Sequence, residues 1–243
     1  IAAAVEEGRR IYDNLLKSFA FVLPTNLGLA LILLTAVTAF PIVAGDPLLP
    51  MTPTQTLWIN LVAAVALALP LAFEAMEPKV MDRPPRDRED ALLGGFVLWR
   101  SVLVAALMTM GAVGLFMWEH DLETSRGVAA SVALAEAQTM AVTTVVFFQI
   151  FYLFNCRSLR DSIFRIGFFS NPKIFLGIAV LVVLQAGLIY LPVMNRLFGT
   201  APLNAEAMLK SLAVGVIVLP VISLEKWAAK RAWGSSGSET GLP

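Results

Sequence analysis

Six stretches of this chain stay apolar long enough to cross a bilayer, at about 18–44, 53–75, 96–118, 131–155, 173–193 and 207–225. A helix rises about 1.5 Å per residue, so roughly 20 apolar residues span the hydrocarbon, where only helices and closed barrels satisfy their own backbone. The pattern predicts six membrane helices. The fourth has the weakest signal, because Glu136 and Gln138 interrupt its first turns, yet the run from Met140 to Phe154 requires lipid or protein around it. Ahead of the first window, VEEGRRIYDNLLKS is charged but runs without a breaker into the apolar helix, which predicts a continuous helical stalk. The loop EPKVMDRPPRDRED, with Pro84 and Pro85, is too polar for lipid and cannot be helical throughout. The tail GSSGSETGLP has the composition of a disordered end. The expected architecture is all-α and polytopic, with a stalk at 1–17, a six-helix domain at 18–227 and a tail at 228–243.

Composition agrees with a membrane protein. Of 243 residues, 58% are hydrophobic and 15% charged, with a mean hydropathy of +0.75, whereas soluble domains carry about 25% charged residues. Eighteen basic and eighteen acidic residues cancel, so net charge points to no nucleic-acid partner. Their distribution says more. If the helices alternate in direction, 15 Lys and Arg fall on the side that holds both termini and the loops after the second and fourth helices. Only Arg126, Arg196 and Lys210 fall on the other, so the positive-inside rule predicts a multi-pass protein of the cell membrane with both termini cytoplasmic. A single cysteine, Cys156, excludes an internal disulfide and any cysteine metal cluster. The chain begins with Ile1 and lacks the pattern of a signal peptide, as expected of the carboxyl-terminal part of a longer protein.

The candidate chemistry lies in the few polar side chains at membrane depth: Asn26, Asn60, Thr143, Thr144, Gln149 and Gln185. Asn60 stands about eight residues into the second window, roughly 12 Å deep at 1.5 Å per residue. Each amide has a plain reading as an interhelical hydrogen bond, worth about 1 kcal/mol or less, and a functional reading as part of an ion path. Two prolines bear on the choice. Pro24 frees the carbonyl of Ala20 and Pro70 that of Ala66, and a dehydrated cation could use such oxygens, although prolines also serve as plain kinks. None of these six side chains is a carboxylate, which disfavours a strong divalent-cation site built from this segment alone. His120 and Cys156 read as residues of the membrane interface, and Glu74 and Glu77 as facing interfacial water. There is no phosphate-cradling glycine loop, nucleophile elbow or metal-ligand His pair.

Several stretches, in order, resemble the carboxyl-terminal membrane half of P-type cation-transporting ATPases of the calcium and sodium–potassium pump branch. AAVEEGRRIYDN resembles the segment leading into their fifth membrane helix, and TQTLWINLV the start of the sixth. EPKVMDRPPR is similar to the following loop, FNCRS to the end of the eighth helix, and LPVISLEKW to the last. The resemblance places Asn26, Asn60 and Gln149 at ion-ligand positions. It also implies that Leu29, Ala63 and Ala64 replace residues of the usual calcium site: Leu29 stands where calcium pumps have a glutamate, and Ala63-Ala64-Val65 where they have Thr-Asp-Gly.

A calcium site of the usual kind is therefore not expected, nor is the glycine that helps unwind the sixth helix. The resemblance implies a transport fragment whose partners are the bilayer, a transported cation and the amino-terminal remainder of the pump. ATP and Mg2+ would be cofactors of the full-length protein, with none in this fragment. The alternatives are a stand-alone six-helix channel or secondary transporter, and a pump-derived structural membrane module.

Overall fold

The computed structural model describes residues 1–43, 46–76, 81, 95–158, 167 and 169–234. Helix α1, Ala2–Ala39, is unbroken, so stalk and first apolar window form one helix with Pro24 inside it. A two-residue antiparallel ladder follows, β1 (Ile42–Val43) against β2 (Asp46–Pro47). Helix α2, Pro53–Ala63, starts on a capping box: Thr52 Oγ1 accepts from the Gln55 amide and Gln55 Oε1 accepts from the Thr52 amide. Pro53, with no N–H to waste, occupies the first turn. A π-helical segment, Ala64–Ala68, and a short α3, Leu69–Leu71, complete this span. Then come α4 (Gly95–Ser125), α5 (Ala130–Cys156), α6 (Pro172–Tyr190), α7 (Pro192–Phe198), α8 (Ala205–Val216) and α9 (Val218–Gly234).

The chain is an all-α membrane protein with six spans long and apolar enough to cross a bilayer. Two of them differ from the simple helices read from the sequence. The second ends its helix at Leu71 rather than near 75 and contains the π segment. The sixth breaks at Ile217 between α8 and α9, because Pro220 supplies no N–H to the Val216 carbonyl and its ring crowds that oxygen. Residues 77–80, 82–94 and 235–243, which include Glu77, most of the proline-containing loop and most of the tail, lie outside the described residues.

The span with the weakest sequence signal is the centre of the bundle. In α5, 83% of the most apolar window is buried, against 28–50% in the other five spans. It is apolar around its whole circumference and packs against α1, α2, α4, α8 and α9. Its hydroxyls reach this position by bonding to their own helix: Thr139, Thr143 and Thr144 donate to the carbonyls of Ala135, Thr139 and Met140. Gln138, the interruption in the pattern, donates to the Leu49 carbonyl at 2.9 Å and ties the α1–α2 connection to α5. Leu57, Val102, Val183 and Leu209 point outward, as an apolar solvent permits.

Candidate functional site

The second span is irregular where the sequence lacks a glycine. In its π segment the Leu69 amide bonds to the Ala64 carbonyl, five residues back, which holds one more residue in the turn than an α-helix does. Pro70 sits immediately after, unable to donate. The Ala66 carbonyl then faces Gly177 of α6, where an added Cβ would collide with the oxygen. Only glycine permits this approach.

The carbonyl at the other proline is also engaged. Ala20 O accepts the Tyr152 hydroxyl at 2.8 Å and lies 3.7 Å from the Cys156 sulfur. Both carbonyls expected to be freed thus meet protein groups, from α5 in one case and from α6 in the other. Cys156 is buried here, not at the interface, because its thiol covers the backbone opening left by Pro24.

Of the three amides at ion-ligand positions, Asn26 and Asn60 lie exposed on the surface of the chain, and neither makes a hydrogen bond among the described residues. Gln149 is buried inside the bundle with its Oε1 unpartnered. No hydrogen bond joins the three among the described residues. Leu29 and Ala63 belong to the apolar core, whereas Ala64 is exposed at the first turn of the π segment. Gln185 donates to Thr143 Oγ1 at 3.2 Å, an interhelical bond of the ordinary kind. His120 contacts Thr124 and the edge of Phe116, both on its own helix.

Where the second span ends, several elements converge on Glu74. Its side chain, expected in interfacial water, is fully buried: Arg157 Nη2 and Nε approach Glu74 Oε1 at 2.7 and 3.1 Å. Burial of a charged pair demands that the remaining lone pairs and protons also be used. Asn171 Nδ2 donates to Glu74 Oε2 at 3.1 Å and to the Pro70 carbonyl at 3.0 Å. Arg157 Nη2 also reaches Ser170 Oγ at 2.7 Å.

From the stalk, Asn14 Nδ2 donates to the carbonyls of Glu74 at 2.9 Å and Ala72 at 3.2 Å. Asn171 caps two helices together, because its Oδ1 accepts the Lys173 amide at the start of α6 while its Nδ2 closes the end of α3. Arg157, Asn171 and Asn14 escaped the sequence reading as site residues, and Glu74, expected to face interfacial water, is instead a buried partner. The contacts of these four link residues 58 to 101 positions apart, except those inside 157–173, and no local pattern marks such pairs.

The arrangement is therefore a span with a perturbed middle and a fixed end, with the stalk bonded to that end. The sequence profile described as "Cation transporting ATPase, C-terminus" matches residues 48–228. The chain belongs to this family. It corresponds to the carboxyl-terminal membrane part of a P-type ATPase. It is 42% identical over 225 residues to the "Probable cation-transporting ATPase F" of Mycobacterium tuberculosis, covering 93% of this chain and 23% of that protein. The "Cation-transporting ATPase pma1" of Synechocystis is 34% identical, with 92% and 24% covered. The "Calcium-transporting ATPase 1" of Saccharomyces cerevisiae is 32% identical, with 95% and 23% covered. The chain thus spans about a quarter of the length of these cation-transporting ATPases.

Proposed function

We propose that these residues form the carboxyl-terminal half of the membrane domain of an ATP-driven cation pump, lining the ion path with α1 and the second span. Supporting this reading above all is the exposure of Asn26 and Asn60 on apolar helices. An unpaired amide facing hydrocarbon is costly, so this face requires either further helices of the longer protein or a ligand. Asn26 stands two residues beyond Pro24, and Asn60 directly before the π segment, where backbone geometry departs from a regular helix. From this chain the ion would receive neutral oxygens, Asn26 and Asn60 at the surface and Gln149 as an inner ligand. Any charge needed to dehydrate a divalent ion would come from the amino-terminal remainder. ATP and Mg2+ would act in that remainder, coupled to the membrane through α1, with both termini cytoplasmic.

In the full-length protein, Asn60→Ala should lower cation-stimulated ATPase activity and raise the half-saturating cation concentration. Unchanged values for both would remove Asn60 from the path. The burial of Leu29 and Ala63 in the apolar core favours a second reading, a pump-derived membrane module without transport. An ATPase assay across monovalent and divalent cations separates the two, since a module gives no stimulation by any ion.

A further inference from the structure

The register between the first two spans brings the polar side chains of the proposed path to one depth. Asn14 of α1 donates to the Ala72 carbonyl, and Ser18, one turn on, reaches the Ala68 carbonyl, one turn back, so the two spans run antiparallel side by side. Continued by equal steps along each, that register places Asn26 level with Asn60. Helix α5 also runs antiparallel to α1: Tyr152 bonds to the Ala20 carbonyl, while Gln138 bonds to the Leu49 carbonyl beyond the far end of α1. Gln149, one turn from Tyr152, thereby lies within about a turn of Pro24 and Asn26. Three amides on three helices share one layer of the bundle.

This chain brings no negative charge to that layer. No Asp or Glu occurs in 14–39 of α1, 53–73 of the second span or 137–156 of α5. Glu74, the first carboxylate beyond the layer on the second span, is held by Arg157 and Asn171. What the layer does offer is neutral oxygen. Gln149 Oε1 is shielded from solvent and accepts no hydrogen bond, and a buried acceptor left in this state is costly. Such an oxygen requires a donor or a cation. Asn26 and Asn60 add two more amides on the exposed side of the same layer.

We propose that the cation carried on this path is a monovalent alkali ion, Na+ or K+, held from this chain by the amide oxygens of Asn26, Asn60 and Gln149; the inference rests on the ion path proposed above. The cost of dehydration rises with the square of an ion's charge, whereas attraction to amide dipoles rises only in proportion to it. Neutral oxygens therefore replace the water of a monovalent ion, as rings of carbonyls do for K+, and fall short for a divalent one, which draws on carboxylates. One carboxylate from the amino-terminal remainder would neutralise an alkali ion, while a divalent ion would still lie charged among dipoles. A proton as cargo requires a group that titrates, and an amide does not.

The test is the ATPase activity of the full-length protein in lipid nanodiscs, with Mg2+ and ATP fixed and choline replacing alkali ions at constant ionic strength. Na+ or K+, added singly, should stimulate hydrolysis, and Ca2+ and Mn2+ should not. Asn60→Ala and Gln149→Leu should each raise the half-saturating alkali concentration about tenfold. Gln185→Leu, which removes a buried amide bonded to Thr143, should leave it unchanged. Asn60 lies on the surface, so its variant carries the test if Gln149→Leu does not assemble. Stimulation by Ca2+ or Mn2+ without alkali ions would overturn the inference and leave the ion path standing. Hydrolysis that follows pH with no metal ion besides Mg2+ would overturn it in favour of a proton. Alkali stimulation unaltered in Asn60→Ala and Gln149→Leu would overturn it too, placing the ion elsewhere. Silence toward every ion would remove the path itself and the inference with it.

Discussion

Arg157 and Glu74, 83 residues apart in sequence, form an ion pair at 2.7 Å in which both side chains are fully shielded from solvent. Removing one partner leaves a buried charge without its counter-ion, at a cost of about 3–5 kcal/mol. Arg157→Met should therefore lower thermal stability sharply. Glu74→Leu combined with Arg157→Met should recover most of the loss, because a well-packed apolar pair replaces a buried ion pair at little net cost. Unfolding midpoints of the three variants and the native protein in one detergent provide the measurement. A double variant no better than the single would mean that Asn171 and Ser170, rather than the charge pair, hold this end together.

Gly177→Ala should destabilise by about 1–3 kcal/mol, the usual range for overpacking, since the new methyl meets the Ala66 carbonyl. Gly187→Ala, on the same helix, meets only the end of the Leu191 side chain and should cost much less. The comparison, read as the difference in melting temperature, isolates the close backbone approach from the general effect of changing a helical glycine. Equal losses would remove any special role for the Ala66 contact.

Tyr152→Phe should cost about 1–3 kcal/mol, because the Ala20 carbonyl opposite Pro24 loses its hydroxyl partner. With alanine at residue 24, the Ala20 carbonyl regains a helical N–H donor, so the same Tyr152→Phe change should then cost less. A double-mutant cycle over Tyr152 and Pro24 measures that coupling. Additive losses would show that the hydroxyl does not serve the proline opening.

The fold was legible because hydrocarbon imposes a simple rule: a run of about 20 apolar residues must be helical. That rule identified six spans and failed where the backbone departs from it. Pro220 breaks the sixth span within an apolar run, and the alanine-rich 64–68 becomes π-helical with no glycine to announce it. Hydropathy also underrated α5, whose Glu136 and Gln138 suggested a weak span although both lie in its first turns, where Gln138 bonds to the Leu49 carbonyl, and the helix beyond them is the centre of the bundle. Near helix ends it placed Glu74 and Cys156 in interfacial surroundings. What buries them is a partner distant in sequence, Arg157 for one and the Ala20 carbonyl for the other. Asn26 and Asn60 were conspicuous as polar residues in apolar runs, but their exposure is a property of packing that no periodicity expresses.

The π segment has a consequence for phase. By holding one additional residue, it offsets the faces of the second span on either side of it by about 100° relative to a continuous α-helix. Asn60 lies on one side of that offset, and Glu74, fixed by Arg157 and Asn171, on the other. Rewinding the segment as α-helix would turn the Asn60 half about its own axis while the Glu74 end stayed bonded, so a change of one residue in the winding would re-aim the amide as a screw turns against a held nut.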